Sequence, residues 1–362
     1  MTGDRTAFLW NDDFEKYYFG ESHPFQPVRY RMTLEILKDM GILDGRAMVV
    51  NSPTATEQDL LLVHTREHVD FVREMSVCGE GMLDRGDTPA TKELFQGSLA
   101  AVGGTLRGVK GIMAGEFEHA FNPAGGLHHA APDHSAGFCV FNDMAVAVRT
   151  LQRDHGIKRV AIIDVDGHHG DGTQAAFYSE KILTISFHRH GKRVYPGTGL
   201  SDEVGEKEGR GYSINVPLPC ATGDGTYLDA YRRIVTPALR AYQPEFIIHQ
   251  FGVDGHYTDP LVGLGLTTHG YEEIAKVTHD LAHELCDGRY QVVGGGGYNL
   301  QAVPRCWAIM FCTISGAYPK DMSKYEALHD TKRPPEPDDV AQMVRERVDR
   351  ILYDSLPLIK SE

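Results

Sequence analysis

The sequence lacks an excess of positive charge and a long hydrophobic run. Its 36 Lys and Arg residues stand against 50 Asp and Glu residues, and the net charge of −14 argues against a basic nucleic-acid-binding protein. No apolar run reaches the length of a transmembrane helix. The first ten residues lack the basic and apolar regions of a secretory signal. We therefore expect a cytoplasmic protein with neither nucleic-acid nor membrane partners.

The sequence also lacks a Cys-x-x-Cys motif, an internal repeat and a low-complexity tract. Its six cysteines are scattered, which in a chain of this size predicts reduced structural thiols. Hydrophobic residues make up 41% and charged residues 24% of the chain, so a disordered or fibrous protein is excluded. What the sequence has in abundance is histidine and glycine, with 18 and 39 residues. These suggest metal or proton chemistry and many sharp loops.

Helical and strand signals alternate along most of the chain, which predicts an α/β fold with a mainly parallel sheet. The predicted strands are 159–166, 182–187, 246–251 and 290–293. The predicted helices are 30–40, 142–156, 227–242 and 271–286. Each predicted strand runs into a polar or glycine-rich segment, in turn DVDGHHGDG, SFHRHGKR, GVDGH and GGGGYN. Because ligands of open α/β sheets bind outside the carboxyl ends of the strands, we expect these segments to form one site.

The segment from Asp164 to Asp171 carries the strongest chemical signal. It has three carboxylates and two imidazoles within eight residues. Residues two apart on a strand point to the same side, so Asp164 and Asp166 should aim alike. Burying so many polar groups without a cation would be costly. The segment therefore predicts a metal site, and its donors suit Zn²⁺ and also Fe²⁺ or Mn²⁺.

Three other segments could complete such a site. Asp254 follows a predicted strand and could give a His/Asp/Asp ligand set. The adjacent His128 and His129 follow two glycines; they could be ligands, an acid/base pair, or structural histidines. The four glycines 294–297 would let the backbone approach a substrate and present Tyr298. They lack the Lys and Ser/Thr of a phosphate-binding loop.

Other histidine patterns are interpreted as structural. His64 and His68 are four residues apart, as are His279 and His283. Neither pair has the Glu of an H-E-x-x-H zinc motif, so both are predicted to be helix-surface histidines. The basic stretch 188–193 is predicted to be a solvated loop, with a rim that selects acidic substrate residues as the alternative.

The motifs DVDGHHGDG, GGLHHA, GFCVFND, PGTG, QFGVDGHYTDP and GGGGYN, in this order and spacing, resemble those of the metal-dependent histone deacetylase family. The resemblance covers about residues 14–316. Segment 18–25 and GGLHHA most resemble the bacterial acetoin-utilisation deacetylases. The resemblance implies a single-domain, three-layer α/β/α, arginase/deacetylase-like fold. The catalytic domain would span 1–320, and the charged, proline-containing segment 321–362 would be an extension packed on it.

The resemblance also implies roles for individual residues. The implied metal ligands are Asp166, His168 and Asp254, holding Zn²⁺ with Fe²⁺ as the alternative. The implied catalytic groups are the general base and acid His128 and His129, their partners Asp164 and Asp171, and the oxyanion donor Tyr298. The implied substrate-binding residues are Asp87, Gly126, Phe138, Tyr195 and Leu261. A structural K⁺ is implied at Asp164, Asp166, His168, Ser186 and Phe187.

Four positions depart from the commonest family pattern and leave the substrate open. They are Leu127, Gly167, Tyr195 and Leu261, none of which is a catalytic group. We predict hydrolysis of N-acetyl-lysine on proteins, with acetylpolyamine hydrolysis as an alternative. A binuclear-manganese ureohydrolase would need several bridging carboxylates, and the sequence offers Asp164, Asp166, Asp171, Asp254 and Asp259. A non-enzymatic metal-bound scaffold is a third hypothesis. An acetylated protein or small amine is the expected partner, and the oligomeric state stays open.

Overall fold

The structure is a computed structural model that describes residues 5–191 and 194–359. In this part of the chain, eight strands form one sheet in which every neighbouring pair is parallel. The strands are β1 Thr6–Trp10, β2 Ala47–Asn51, β3 His119–Asn122, β4 Val160–Asp164, β5 Leu183–Arg189, β6 Ser213–Leu218, β7 Phe246–Gln250 and β8 Tyr290–Val293. Their order in the sheet is β2-β1-β3-β8-β7-β4-β5-β6.

Eleven α-helices and three short 3₁₀ helices surround the sheet in the described residues. The α-helices are α1 Val28–Asp39, α2 Glu57–Leu60, α3 Arg66–Cys78, α4 Leu94–Met113, α5 Asp143–His155, α6 Asp171–Phe177, α7 Asp224–Tyr242, α8 Thr268–Cys286, α9 Val303–Ser315, α10 Ser323–Glu326 and α11 Val340–Asp354. The 3₁₀ helices are Asp12–Lys16, Lys207–Gly209 and Leu356–Leu358. None of the helices described combines the length and apolar character needed to span a bilayer.

The helices form two layers, one on each face of the sheet. Connections between parallel strands are right-handed, so connections that run in opposite directions along the sheet place their helices on opposite faces. The connections from β2 to β5 run one way and carry α2 to α6, whereas those from β6 to β8 run the other way and carry α7 and α8. The packing agrees, since α4 contacts α3 and α5, whereas α9 contacts α1 and α8. The prediction of a three-layer α/β fold is confirmed.

All four predicted strands and all four predicted helices are present, with boundaries shifted by up to three residues. The Asn142 side chain accepts a hydrogen bond of 3.0 Å from Ala145 N and caps α5, and Gly156 ends that helix in the left-handed conformation. Four strands were not predicted: β1, β2, β3 and β6. β3 and β6 pair with the predicted strands β8 and β5, whereas β1 and β2 extend the sheet beyond β3.

Two predictions of exposed histidines were wrong. His64 and His68 are both buried, and His64 lies in the turn before α3 rather than on a helix. His64 Nε2 accepts a 2.9 Å hydrogen bond from Asn142 N, and His68 Nε2 lies 3.0 Å from Val140 O. Because each imidazole satisfies a buried backbone group, these residues belong to the core.

The basic stretch 188–193 is also not a solvated loop throughout. His188 and Arg189 end β5, and His188 is fully buried beside Ser186 Oγ and Gly199 O. Arg189 donates a 2.5 Å hydrogen bond to Val262 O. Lys192 and Arg193 lie outside the described residues. The side chains at the end of β5 therefore pack against neighbouring loops.

The segment after residue 320 packs against the rest of the molecule. α11 lies on α7 and β6. Upstream of α11, the Asp330 side chain lies between three elements. Its Oδ2 atom lies 2.8 Å from His256 Nε2 and accepts a 2.9 Å hydrogen bond from Thr268 N. Its Oδ1 atom accepts a 2.9 Å hydrogen bond from Arg305. One carboxylate thus fastens this segment to α8, α9 and the loop after β7. The domain boundary at residue 320 stays a prediction.

Loss of the Asp330 charge should destabilise the fold more than loss of a surface charge. Burial opposes ionisation of Asp330, but hydrogen bonds from His256, Thr268 and Arg305 outweigh it and hold its pKa below the usual range. The stabilisation is therefore complete above the ordinary pKa of 3.8 and is lost as the pH falls below it. We expect Asp330→Asn to lower the free energy of unfolding at pH 7 by about 2 kcal/mol.

The matched control is Asp349→Asn, because the Asp349 side chain is 64% exposed and forms a surface ion pair with Arg233. Such pairs contribute less than about 1 kcal/mol. Urea unfolding at pH 7 measures both variants, and equal small effects would contradict the anchoring role of Asp330.

Candidate active site

Three predicted ligands converge at the carboxyl edge of the sheet. His168 Nδ1 lies 2.8 Å from Asp254 Oδ2 and 3.2 Å from Asp166 Oδ1. The ligand atoms of the three residues all lie within 4.8 Å of one another. A zinc ion with bonds of about 2.0–2.2 Å to nitrogen and oxygen needs this kind of spacing between its ligands. Three protein ligands are the number that catalytic zinc sites use, with water or substrate as the fourth ligand.

The surroundings of these residues fit a bound cation. Asp166 is 1% and Asp254 0% exposed, and burial together with the charge of Asp166 raises the pKa of Asp254. Two ionised carboxylates so placed repel each other unless a positive charge lies between them. The backbone also approaches closely: a Cβ on Gly252 would lie 2.1 Å from Asp166 Oδ2, and a Cβ on Gly296 would lie 2.5 Å from Asp254 Oδ2. Both positions therefore require glycine.

Hydrogen bonds from the sheet edge fix the ligand carboxylates. Asp166 Oδ2 accepts hydrogen bonds of 2.8 Å from Gln250 Nε2 and 2.7 Å from Gly296 N. Asp254 Oδ1 accepts one of 2.6 Å from Gly167 N. The predicted reason for the orientation of Asp166 was wrong, because β4 ends at Asp164 and strand alternation does not extend to Asp166. The carboxylates of Asp164 and Asp166 nevertheless both face His128: Asp164 Oδ2 lies 2.7 Å from its Nδ1, and Asp166 Oδ1 lies 3.8 Å from its Nε2.

The loop after β3 holds the tandem histidines. Asp143, the first residue of α5, is fully buried and accepts hydrogen bonds from Gly126 N at 3.0 Å, Leu127 N at 2.8 Å and Thr105 Oγ1 at 2.6 Å. Gly126 has a φ of +88°, and a Cβ there would lie 2.5 Å from Gly295 N. The loops after β3 and β8 can therefore touch only because residue 126 is glycine.

The two histidines differ in their protonation. His128 Nδ1 lies 2.7 Å from Asp164 Oδ2, His129 Nδ1 lies 2.6 Å from Asp171 Oδ1, and the two Nε2 atoms are 3.1 Å apart. Burial lowers the pKa of His128, but the charges of Asp164 and Asp166 outweigh it and raise the pKa to about 9. Burial and the charge of His128 lower the pKa of His129 to about 4. Near neutral pH the pair therefore carries one positive charge, on His128, while His129 is neutral.

Tyr298 is held over the site by the glycine loop. Its backbone N–H donates a 2.9 Å hydrogen bond to Asp259 Oδ2, and its ring lies 6.5 Å from that of His168. Burial raises the pKa of the Tyr298 hydroxyl well above 10, and the nearby carboxylates raise it further. The hydroxyl thus stays protonated and can donate a hydrogen bond. Arg29 lies beneath the loop, fully buried, and donates a 2.7 Å hydrogen bond to Gly297 O.

Aromatic side chains line the approach to the site. The Phe138 ring lies 5.8 Å from that of Tyr298, and the Tyr195 ring lies 4.9 Å from that of His129. Both histidines, Gly126, Phe138 and Tyr298 line a small cavity of about 10 Å³, about the space of one water molecule. Outside it, Tyr195 and Asp87 border an open groove of about 1060 Å³. The predicted wall and rim residues therefore lie where a substrate would enter.

Other predicted residues lie farther from the metal ligands. Leu261 is exposed, and its backbone N–H donates to Asp259 Oδ1 at 2.9 Å. Asp259 thus holds two backbone groups of the rim rather than joining the ligand cluster. Ser186 is the β5 neighbour of Asp164, whereas the Phe187 ring packs against Tyr227 and Tyr231. A K⁺ site there could involve Phe187 only through its backbone.

Sequence reasoning missed four residues that support the site: Arg29, Asp143, Gln250 and Asp259. Asp143 and Gln250 stand inside the quoted motifs GFCVFND and QFGVDGHYTDP, so an acidic or amide residue in a motif with no assigned role was an available signal. Asp259 was considered only as a metal ligand. Arg29 lies on α1, far from the quoted motifs in the sequence, and no pattern around it indicates a role in the site.

Comparison with known proteins identifies the family. The profile of the histone deacetylase domain matches residues 23–314. The acetoin utilization protein AcuC of Bacillus subtilis (strain 168) is 38% identical over 326 residues, which cover 87% of this chain and 83% of that protein. AcuC of Staphylococcus aureus (strain MSSA476) is 35% identical over 320 residues, which cover 86% of this chain and 82% of that protein.

Among solved structures, the crystal structure of the HDA15 HD domain is similar over the whole fold. It superposes with a TM-score of 0.84 at 32% sequence identity and covers 98% of this chain and 95% of that chain. The matched profile includes both tandem histidines, the ligand cluster and Tyr298. The chain therefore belongs to the histone deacetylase family.

Proposed function

We propose that the protein hydrolyses N-acetyl-lysine amides on proteins and releases acetate. As a member of the histone deacetylase family it is a metal-dependent deacetylase. The observation that supports hydrolysis of N-acetyl-lysine is a His/Asp/Asp cluster that lies beside a histidine pair. Both lie at the inner end of an approach whose walls are aromatic side chains. We further propose Zn²⁺ as the ion, with Fe²⁺ as the alternative, because the donor set suits either.

In this mechanism each residue has a separate task. Asp166, His168 and Asp254 would hold the metal ion, which would polarise the amide carbonyl as a Lewis acid and lower the pKa of water. We propose His129 as the general base, in place of His128, which the resemblance implied for this role. The lowered pKa of His129 keeps its Nε2 unprotonated, so that this atom can take the proton of the attacking water. His128 stays protonated at both ring nitrogens, and His129 passes the proton taken from water to the nitrogen of the leaving amine as the C–N bond breaks.

Tyr298 and the outer carboxylates complete the catalytic arrangement. The Tyr298 hydroxyl donates a hydrogen bond to the oxyanion that develops when water adds to the amide carbon. Asp164 and Asp171 accept from the Nδ1 atoms of the histidines and fix both rings with Nε2 facing the site. Phe138 and Tyr195 exclude bulk water from the approach and bind the aliphatic part of a lysine side chain.

The arrangement favours this proposal over the ureohydrolase hypothesis. Of the five carboxylates that the sequence offers, Asp164 and Asp171 contact histidines and Asp259 contacts backbone N–H groups. Two carboxylates then remain for metal, which suits one ion rather than a bridged pair. Retention of the tyrosine, both histidines and all three ligands counts against the scaffold hypothesis.

The groove at the entrance favours a protein substrate over a small acetylated amine. Its volume of about 1060 Å³ and its exposed side chains Phe71 and Met82 provide surface for residues flanking an acetyl-lysine. The AcuC relatives are named for acetoin utilization, so we propose a metabolic acetyl-protein as the substrate. All six cysteines are free thiols, which supports a cytoplasmic location. A structural K⁺ near Asp164 and Ser186 remains part of the proposal.

Acetate release from an acetyl-lysine peptide and from an acetylated polyamine tests the function, with Zn²⁺-loaded protein and Tyr298→Phe side by side. We expect peptide hydrolysis and a fall in kcat of about 10²–10³-fold in Tyr298→Phe, because the oxyanion donor is lost. The control Tyr353→Phe, at a tyrosine that is 82% exposed, should match the unmodified protein. Turnover of the polyamine alone would contradict the proposed substrate, and turnover of neither would contradict the reaction.

Two Asp→Asn variants should separate metal binding from proton transfer. Asp254→Asn removes a proposed ligand, so bound metal and activity should both be lost. Asp171→Asn removes only the partner of His129, so the metal content should stay the same while kcat falls about 10–100-fold. Metal content by mass spectrometry and kcat are measured on the same preparations. Loss of metal in Asp171→Asn, or full metal content in Asp254→Asn, would contradict the assignment.

Asp87 should act on peptide binding rather than on chemistry. It lies at the groove, and its carboxylate can accept hydrogen bonds from the substrate backbone. We expect Asp87→Asn to raise KM for the peptide about tenfold, since hydrogen bonds to a charged group contribute about 1.5–3 kcal/mol, and to leave kcat nearly unchanged. Asp133→Asn is the control, because Asp133 is exposed and its neighbour His134 borders the same groove. Equal KM values for the two variants would rule out this role.

A further inference from the structure

Three imidazoles converge at the amino end of the sheet, on the edge opposite the active site. His119 is the first residue of β3, and His279 and His283 lie one turn apart on α8. His279 Nε2 lies 3.0 Å from His119 Nε2 and 3.1 Å from His283 Nε2. One ligand nitrogen from each ring lies within 4.8 Å of the other two.

Hydrogen bonds between the rings do not by themselves account for the convergence of the three imidazoles. An imidazole nitrogen carries either one proton or one lone pair, directed along a single line in the ring plane. His279 Nε2 has two ring nitrogens within 3.1 Å, and it can form a linear hydrogen bond with one of them at a time. An ion between the rings would instead accept a lone pair from each. Zinc–nitrogen bonds place such nitrogens roughly 3.4 Å apart, a few tenths of an ångström from the observed spacing.

The surroundings also suit a cation. His119 is 2% exposed, and burial together with the neighbouring imidazoles lowers its pKa well below 6.5, which keeps it in the neutral form that binds metal. Glu118 adds negative charge: its Oε1 lies 3.6 Å from His283 Nδ1 and its Oε2 3.9 Å from His119 Nε2. For His283, Glu118 lies on the side of Nδ1, the nitrogen that faces away from the cluster, and carboxylates are often found there in metal-binding histidines. The His283 side chain is 40% exposed, so the cluster is open to solvent.

A second cluster among the described residues differs from this one in the hydrogen-bond partners of its imidazoles. His269, Glu272 and His329 also lie close together. Here His329 Nε2 lies 3.0 Å from Glu272 Oε2, and His269 Nε2 lies 3.2 Å from Asp330 O. Each imidazole has an oxygen acceptor, so this cluster needs no ion.

We propose that His119, His279 and His283 form a second metal site, separate from the active site, that binds Zn²⁺ or a similar divalent transition ion. Neutral imidazoles suit Zn²⁺, Ni²⁺ and Cu²⁺. The bound ion would join the start of β3 to the carboxyl-terminal half of α8, two segments that are 160 residues apart in the chain. The site would therefore stabilise the fold and leave the acetyl-binding edge of the sheet untouched.

Zinc binding to the full chain tests this proposal. Metal-free protein is titrated with Zn²⁺, and the bound ions per chain are counted by mass spectrometry after dialysis. We expect His283→Ala to bind one ion fewer than the unmodified chain and to keep its kcat. Since loss of an outer partner alone weakens metal binding about 10–100-fold, loss of this ligand should weaken it by about 100-fold or more.

The control is His269→Ala, which changes a histidine of the same helix and should bind as many ions as the unmodified chain. Zn²⁺ should also raise the unfolding temperature of Asp254→Asn protein, and His283→Ala in that background should abolish the rise. His283→Gln, which keeps a polar side chain at an exposed position, replaces His283→Ala if the latter does not fold. Equal ion counts for the His283 variant and the unmodified chain, or an equal loss in His269→Ala, would overturn the proposal.

Discussion

The repulsion between two buried carboxylates is the constraint on which the carboxyl edge of the sheet depends. Asp166 and Asp254 are almost fully buried and face the same imidazole, a placement that only a cation and a ring of hydrogen-bond donors make stable. Gln250, at the end of β7, and the backbone of the glycine loop supply those donors. The parallel sheet matters because it brings these strand ends to one edge.

Close backbone approach is the second condition. The loops after β3, β7 and β8 meet around the ligands at distances that leave no space for a Cβ at Gly126, Gly252 or Gly296. Buried charged residues support the loops from behind: Asp143 holds the backbone of the histidine loop, and Arg29 holds a carbonyl of the glycine loop. The rigidity of the site therefore comes from residues that never face a substrate.

Sequence pattern predicted the central strands well because they are buried on both faces. β4 opens with the apolar run 160–163, β7 opens with 246–248 and β8 ends with 292–293, and the chemistry-bearing segments follow these strands directly. β1, β2, β3 and β6 were not predicted, although they are as long as β4, β7 and β8. Their assignment depends on pairing with distant parts of the chain. The histidines of α3 and the preceding turn were misjudged for a similar reason, since spacing along the chain does not report what covers a helix.

The α/β class, the family motifs and the residue types at the strand ends could all be predicted from the sequence, because they depend on local periodicity and on short segments. Tertiary structure alone decided which carboxylates face the ligand position. Asp254 does so, whereas Asp259, five residues later, turns to the rim and binds backbone N–H groups. It also decided that His128 and His129, adjacent in sequence, have pKa values on opposite sides of neutrality. Charge interactions depend on distances through space, and those distances exist only once the strands are paired.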